Sequence, residues 1–198
     1  ILVVDDGSKD KTKEIVSKFN KVKLISYNEN KGKGYAIKCG VKNSNGNYIF
    51  ISDADLSMPI EELDKFLEEA KNNYSIVIGS RRHRDSEVIR SRFRKLSANI
   101  FNKIISTLII KDIKDTQCGF KLFKKEPAKR IFEKQLINGF AFDVEVLYLS
   151  KKFGYNIKEV PIKWVDSKES KVRMIKDSYR MLRDIMKIRL NDGLGKYD

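Results

Sequence analysis

An α/β fold with a mostly parallel sheet is what this sequence predicts, and two observations support it. Short apolar runs alternate with segments of helical periodicity throughout residues 1–80. Charged side chains follow three of those runs, at Asp5, Asp53 and Arg81. Because strands that alternate with helices form parallel sheets, these side chains are expected at the carboxyl edge, where such sheets bind ligands.

The elements of the first half follow from composition and periodicity. Runs rich in Ile, Val and aromatic residues predict buried strands, and amphipathic segments between them predict crossover helices. The predicted strands are Ile1–Val4, Val22–Tyr27, Tyr48–Ser52 and Ser75–Gly79. The predicted helices are Lys11–Phe19, Tyr35–Lys42 and Ile60–Asn72.

The second half has longer amphipathic segments and fewer strands. Arg92–Ile110 carries a broad apolar face typical of a packed or surface-bound helix. Thr116–Phe123 contains a loop and a short strand, Asp143–Phe153 is periodic like a helix, and Ile157–Trp164 is typical of a strand. The last segment, Val172–Leu190, predicts an amphipathic, basic helix.

Composition indicates one globular domain with an anionic partner. The chain has 198 residues, 41% hydrophobic and 34% charged, with a net charge of +14. Nucleic acid, anionic lipid and nucleotide phosphates all fit such a charge. No stretch of the sequence is apolar enough to cross a bilayer.

Asp53-Ala54-Asp55 is the most specific single feature of the sequence. Alternate side chains of an extended chain point to opposite faces, so both carboxylates reach one centre only if the backbone bends. The simplest such centre is a hard divalent cation, which also binds substrate phosphates. The alternative is a turn whose Asp caps the helix that follows.

Two further motifs open helices. The carboxylates of Asp5-Asp6-Gly7-Ser8 can accept hydrogen bonds from a base or a ribose, or the motif caps a helix. Gly32-Lys33-Gly34 can bring backbone N–H groups and a Lys to phosphate, or it is an ordinary loop.

Three later segments carry candidate charges. Arg81 and Arg82 close a strand, where Arg suits bidentate phosphate contact, although a solvated basic loop is the alternative. Asp115–Lys121 places an acid and a base around a glycine. Asp143 lies in an apolar setting, where it is a catalytic candidate or an N-cap.

These motifs, in this order, resemble those of inverting GT-A glycosyltransferases of family 2. Asp115–Lys121, Phe140–Glu145 and Trp164 with Ser170-Lys171-Val172 resemble the dolichyl-phosphate β-glucosyltransferase branch, which is related to the dolichyl-phosphate mannose synthases. The resemblance implies a Rossmann-like GT-A domain over residues 1–198, with a further first strand upstream of Ile1.

The resemblance also implies an activity. A hexose, glucose by this branch, would pass with inversion from a UDP-sugar to dolichyl or polyprenyl phosphate, with Mg²⁺ or Mn²⁺ as cofactor. Residues 1–91 would bind the nucleotide sugar, and residues 92–198 the acceptor through amphipathic helices. The protein would be peripheral at the cytoplasmic face of a membrane and would not bind nucleic acid, and it could form a homo-oligomer.

Residue roles carry over from the family motif by motif. The nucleotide-sugar residues would be Asp5, Asp6, Lys33, Asp53 and Arg81, the metal ligands Asp53 and Asp55, and the acceptor-phosphate residues Arg81, Lys121 and Lys171. Asp115 is the candidate base or acceptor-orienting residue, and Asp143 is the second candidate.

Three alternatives stay open. Mannose synthases carry Gln-His-Pro-Pro where this chain has Ser57-Met58-Pro59-Ile60, which weakens a mannose donor without excluding it. A relative with another donor or a hydroxyl acceptor fits the same motifs. A non-enzymatic, basic nucleic-acid-binding domain explains the charge but not the acidic residues at strand ends.

Overall fold

A computed structural model describes residues 1–55, 57–89, 105, 108–165 and 174–198, apart from the side chains of residues 174–178. Most of the predicted helix Arg92–Ile110 and the predicted phosphate ligand Lys171 lie outside these residues.

Strands and helices alternate through the first half, as predicted. The strands of the described residues are β1 Leu2–Asp6, β2 Lys23–Tyr27, β3 Tyr48–Ile51, β4 Ile76–Ser80, β5 Glu87–Ile89, β6 Lys121–Lys124, β7 Ile157–Pro161 and β8 Lys163–Val165. The helices are α1 Thr12–Val16, α2 Lys33–Asn43, α3 Leu63–Lys71, α4 Lys125–Lys134, α5 Phe142–Lys152 and α6 Met174–Gly193. A 3₁₀ turn, Ile60–Glu62, leads into α3.

The strands form three sheets. The central sheet has the order β3-β6-β4-β7, while β1 pairs with β2 and β5 pairs with β8. The pairs β1–β2, β4–β7 and β5–β8 are parallel, which confirms the predicted α/β class. Strand β6 is the exception, because it runs antiparallel to both β3 and β4.

The direction of β6 has a geometric cause. Arg81, directly after β4, contacts Asp115, which precedes β6, so β6 begins near the edge of the sheet where β4 ends. The strand that follows must then run in the opposite sense. As a result, Lys121 at the start of β6 lies at the same edge as the end of β3.

The core follows from strand alternation on the two faces of the central sheet. Ile76 and Ile78 pack on the face covered by α4, α5 and α6, and Val77 packs on the face covered by α3. Strand β6 alternates in the same way, with Phe123 on the first face and Leu122 on the second.

Helix α4 was absent from the sequence prediction. Its buried residues Ala128, Ile131 and Phe132 have i, i+3, i+4 spacing, so the helical signal was present. Pro127 lies in the first turn, where a missing N–H costs nothing.

Two predicted elements are shorter than expected. The helix predicted over Lys11–Phe19 forms only over Thr12–Val16 and buries no residue, so no packed face stabilises further turns. The strand predicted over Ile157–Trp164 divides into β7 and β8, which pair with different strands.

Candidate active site

A cleft of about 1680 Å³ opens between β1 and β3 and continues past the ends of both strands. Its walls include Asp6, Lys33 and Asp53 from the predicted motifs. Residues 136–140 and part of α6 complete it. Three side chains from the predicted motifs therefore border one cleft, whose remaining walls include the lengths of β1 and β3.

Asp5 and Asp6 have different surroundings. Asp5 is buried and accepts hydrogen bonds from the Ser8 backbone N–H at 3.2 Å and the Ser26 hydroxyl at 2.9 Å. Burial raises the pKa of Asp5, but these hydrogen bonds outweigh it and the net shift is downward. Asp6 lines the cleft, and its carboxylate accepts the N–H groups of Lys31 and Gly32 at 2.7 and 2.9 Å.

Two backbone N–H groups of the glycine motif have acceptors within the protein. Gly32 donates to Asp6, and Gly34 donates to the carbonyl of Asn138 at 2.8 Å. A Cβ on Gly34 would lie 2.5 Å from the Ile137 carbonyl, so the glycine allows this close approach. The motif also brings the Lys33 side chain to the cleft.

Lys33 pairs with one acidic side chain and is influenced by two more. Its Nζ lies 2.7 Å from Asp53 Oδ1. Burial alone would lower the pKa of Lys33, but Asp143, Asp53 and Asp55 together raise it. Carboxylates predicted from separate motifs therefore act on one ammonium group, although only Asp53 forms an ion pair with it.

Asp53 and Asp55 fit a hard cation that shares its ligands with a substrate. Asp53 lies against Gly119, where any Cβ would collide with the carboxylate. Asp55 is exposed and accepts the Ser57 N–H at 3.0 Å. Among the described side chains no group of three or more His, Cys, Asp or Glu could hold a metal. Two carboxylates with open positions suit Mg²⁺ or Mn²⁺ completed by donor phosphates.

Arg81 and Asp115 form a bidentate ion pair in which the carboxylate is buried. Arg81 Nε and Nη2 donate to the two carboxylate oxygens at 2.7 and 2.8 Å, and the Arg81 backbone N–H donates at 2.9 Å. Burial raises the pKa of Asp115, but Arg81 outweighs it and brings it to about 2. The guanidinium also lies 5.5 Å from the ring centre of Trp164.

Lys121 and Asp143 form a second buried pair. Lys121 Nζ lies 2.5 Å from Asp143 Oδ1, and it also donates to the Cys118 carbonyl. Asp143 and Arg81 interact electrostatically, as do Asp115 and Lys121, so the two pairs are neighbours. Six of the predicted site residues consequently form one chain of alternating charge along the sheet edge, in the order Asp53, Lys33, Asp143, Lys121, Asp115 and Arg81.

Glu159 is a contributor that the sequence prediction missed. Its two carboxylate oxygens accept the backbone N–H groups of Lys114 and Asp115, both at 3.0 Å. Its neighbours on β7 pair with β4, so Glu159 ties the loop of Asp115 to the central sheet. The signal available in the sequence was an acidic residue within the predicted strand Ile157–Trp164, where a partly buried carboxylate needs hydrogen-bond donors.

Comparison with known families resolves the classification. Residues 1–132 match the glycosyl transferase family 2 model. The chain belongs to glycosyl transferase family 2.

Within this family, curated relatives align along nearly the whole chain. Dolichyl-phosphate beta-glucosyltransferase of Dictyostelium discoideum is 38% identical over 98% of this chain and 64% of its own length. The Homo sapiens protein of the same name is 39% identical over 96% of this chain and 63% of its own length. The family 2 chain thus spans slightly less than two thirds of these relatives.

A solved structure supports the fold. Glucosyl-3-phosphoglycerate synthase from Mycobacterium tuberculosis, in complex with Mn²⁺, UDP-glucose and phosphoglyceric acid, superposes with a TM-score of 0.70. The match covers 94% of this chain and 67% of that one at 15% identity. At this identity the similarity establishes the GT-A fold alone.

Proposed function

We propose that this chain transfers glucose, with inversion, from UDP-glucose to dolichyl or polyprenyl phosphate. The observation that carries the proposal is the chain of alternating charge at the sheet edge, built from the ion pairs Lys33–Asp53, Arg81–Asp115 and Lys121–Asp143. Such an arrangement suits a dianionic leaving group next to an anionic acceptor. The identity of 38% to a dolichyl-phosphate beta-glucosyltransferase supports the substrate pair.

The donor would lie along the β1 side of the cleft. Asp6 and Lys33 line it, and Asp5 supports the Asp6 turn from beneath through Ser8 and Ser26. Asp53 and Asp55 would hold Mg²⁺ or Mn²⁺, with Asp55 the more available ligand because Asp53 already pairs with Lys33. When bound, the cation would neutralise charge on the departing diphosphate.

The chemistry would be a single in-line displacement. An acceptor phosphate oxygen forms the new bond to the anomeric carbon, and the bond to the UDP oxygen breaks with its electron pair leaving on UDP. The nucleophile is already anionic near neutral pH, so positioning matters more than proton removal.

The Asp115 surroundings support an orienting role over that of a base. A carboxylate with a pKa of about 2 that accepts three bonds from Arg81 is a weak proton acceptor. Asp143 is likewise committed to Lys121. We therefore assign to Asp115 and Asp143 the placement of Arg81 and Lys121, which with Lys171 stay the predicted phosphate-facing cations.

Helix α6 supports a location at the cytoplasmic surface of a membrane. One outward stripe exposes Tyr179, Met186 and Leu190, at spacings of seven and four residues. Arg183 and Lys187 flank that stripe and are also exposed. Aromatic and aliphatic residues bordered by cations suit the headgroup region of an anionic bilayer. No helix in the described segments has the length and apolarity to cross a bilayer.

The test is turnover of UDP-glucose with Mn²⁺, with and without a short polyprenyl phosphate, using the corresponding prenol as control. We expect UDP release only with the phosphorylated lipid, together with a lipid-linked glucose. Release with GDP-mannose alone would change the donor, and release with a hydroxyl acceptor would change the acceptor. Salt-sensitive DNA binding, without turnover of any donor, would contradict the enzyme proposal.

A further inference from the structure

Three basic side chains of α6 line the cleft that Lys33 and Asp53 also line. They are Arg180, Arg183 and Lys187. Their spacing of three and four residues brings them onto one side of the helix. All three are exposed, so they meet the cleft from its solvent side.

These three cations carry more positive charge than their carboxylate neighbour among the described side chains can neutralise. Asp184 Oδ1 lies 3.4 Å from Arg183 Nη2 and 3.5 Å from Lys187 Nζ, and one carboxylate cannot balance three cations. Exposed pairs of this length are weak and easily rearranged. Arg81 and Lys121, by contrast, are held in shorter pairs with buried carboxylates.

Apolar side chains lie beside the cations. Leu136 and Phe140 line the cleft and remain 45% and 40% exposed. The loop that carries them touches α6, because a Cβ on Gly139 would lie 3.4 Å from Asp184 Oδ2. Cations next to exposed apolar groups complement an amphiphile with an anionic head, and not a wholly water-soluble nucleotide.

We propose that Arg180, Arg183 and Lys187 bind the phosphate of a polyprenyl monophosphate acceptor, while Leu136 and Phe140 contact its first isoprene units. This subsite rests on the proposed function, since it needs a lipid phosphate as acceptor. It is a binding site on α6 additional to the cations predicted from sequence motifs.

The experiment compares the variant R180Q/R183Q/K187Q with wild type in the full chain. Acceptor KM is measured with a short polyprenyl phosphate, and UDP-glucose affinity is measured separately by calorimetry with Mn²⁺. We expect acceptor KM to rise at least roughly tenfold, because charge-assisted phosphate contacts are lost. UDP-glucose affinity should stay within about twofold of wild type.

A matched control removes the same charge elsewhere. Lys18, Lys21 and Lys71 are exposed and do not line the cleft. K18Q/K21Q/K71Q should therefore leave acceptor KM unchanged, which separates the subsite from the general attraction of a basic protein for anions. Equal loss in both variants would overturn the subsite.

The remaining outcomes separate this inference from the proposed function. A variant that loses UDP-glucose affinity but keeps acceptor KM would assign the cations to the donor and overturn the subsite alone. Turnover by wild type without any lipid phosphate would overturn both proposals.

One further ligand and one further variant distinguish binding of the acceptor's phosphate from binding of its isoprene units. Inorganic phosphate should compete with the acceptor in wild type and lose that effect in R180Q/R183Q/K187Q. Variant L136S/F140S should weaken the polyprenyl phosphate but not inorganic phosphate. Equal weakening of both ligands in L136S/F140S would contradict the assigned apolar contact.

Discussion

At the residue scale, Asp115 shows how burial and a charged partner compete. Burial disfavours a carboxylate, yet Arg81 donates to both of its oxygens and brings its pKa to about 2. Glu159 holds the backbone of Asp115 from the other side. The pair is stable as a unit, and removal of one charge leaves the other buried without compensation.

Asp115→Asn should therefore destabilise the protein strongly. We expect the free energy of unfolding to fall by about 3 kcal/mol at neutral pH, the usual cost of breaking a buried ion pair. Urea denaturation measures it. Asp112→Asn removes an exposed carboxylate paired with Lys151 and is the matched control, which should not change the unfolding midpoint detectably. Similar midpoints for both variants would contradict the importance of the buried pair.

The same pair predicts a pH dependence. The folded pKa of Asp115 lies below its ordinary value of 3.8, so its stabilisation is present above pH 3.8 and is lost as pH falls toward 2. The shift corresponds to about 2 kcal/mol. The difference in unfolding free energy between wild type and Asp115→Asn should narrow over that interval, and a constant difference would rule out this linkage.

At the element scale, Glu145 of α5 holds the loop that borders the cleft. Its carboxylate accepts the N–H groups of Leu136 and Ile137 at 3.0 and 2.8 Å, and the Tyr197 hydroxyl at 2.6 Å. Burial raises the pKa of Glu145, and these donors oppose that shift. One buried acid thus connects α5, the cleft loop and the C-terminal segment.

Tyr197→Phe should weaken this connection. The substitution keeps the buried ring but removes a donor from a buried carboxylate, at a cost of about 1–3 kcal/mol in unfolding free energy. Chemical denaturation provides the measurement. Tyr179→Phe, at a ring that is 72% exposed, is the control and should be neutral. An equal effect of the two substitutions would mean that the Tyr197 hydroxyl contributes nothing specific.

The outward stripe of α6 predicts vesicle binding. M186E/L190E should reduce binding to phosphatidylserine vesicles by roughly tenfold or more, because each buried apolar side chain contributes about 1.5–3 kcal/mol. Co-sedimentation quantifies the bound fraction. I15E/F19E introduces the same charge at exposed apolar residues of another region and should bind like wild type. Undiminished binding by M186E/L190E would place the membrane contact elsewhere.

At the scale of the whole molecule, Asp6 and Asp55 belong to different sheets of the described residues. Asp6 ends β1, which pairs with β2, and Asp55 follows β3 of the four-stranded sheet, while α2 packs against β1 and against α4. A donor that contacts both carboxylates would connect the two sheets. Its binding should therefore stabilise the whole fold.

UDP-glucose with Mn²⁺ should raise the melting temperature by roughly 5 °C at about 100-fold excess over Kd. EDTA should abolish most of this shift, and Mg²⁺ should restore it if either ion serves. Asp55→Ala should fold normally, since Asp55 is exposed and within the described residues bonds to the Ser57 N–H alone, but should lose the metal-dependent part. A full shift in Asp55→Ala, measured by differential scanning fluorimetry, would exclude Asp55 as a metal ligand.

The α/β class, the order of the early elements and the family were predictable from sequence. Strand periodicity and the chemistry of Asp53 and Asp55 are local, so they can be read from a few neighbouring residues. Helix α4 was predictable too, from Ala128, Ile131 and Phe132. The acidic motifs also predicted that Asp6, Asp53 and Asp55 lie at or just after the ends of β1 and β3, which is where the structure has them.

Which acidic and basic side chains form ion pairs depends on the tertiary structure. Arg81 and Asp115 are 34 residues apart and Lys121 and Asp143 are 22 apart, so their pairing depends on the antiparallel course of β6. No local pattern specifies that direction, since it follows from the contact between Arg81 and Asp115 at one edge of the sheet. The residue types and their spacing thus define which charged groups are available, and long-range packing determines which of the described cations are neutralised by a carboxylate.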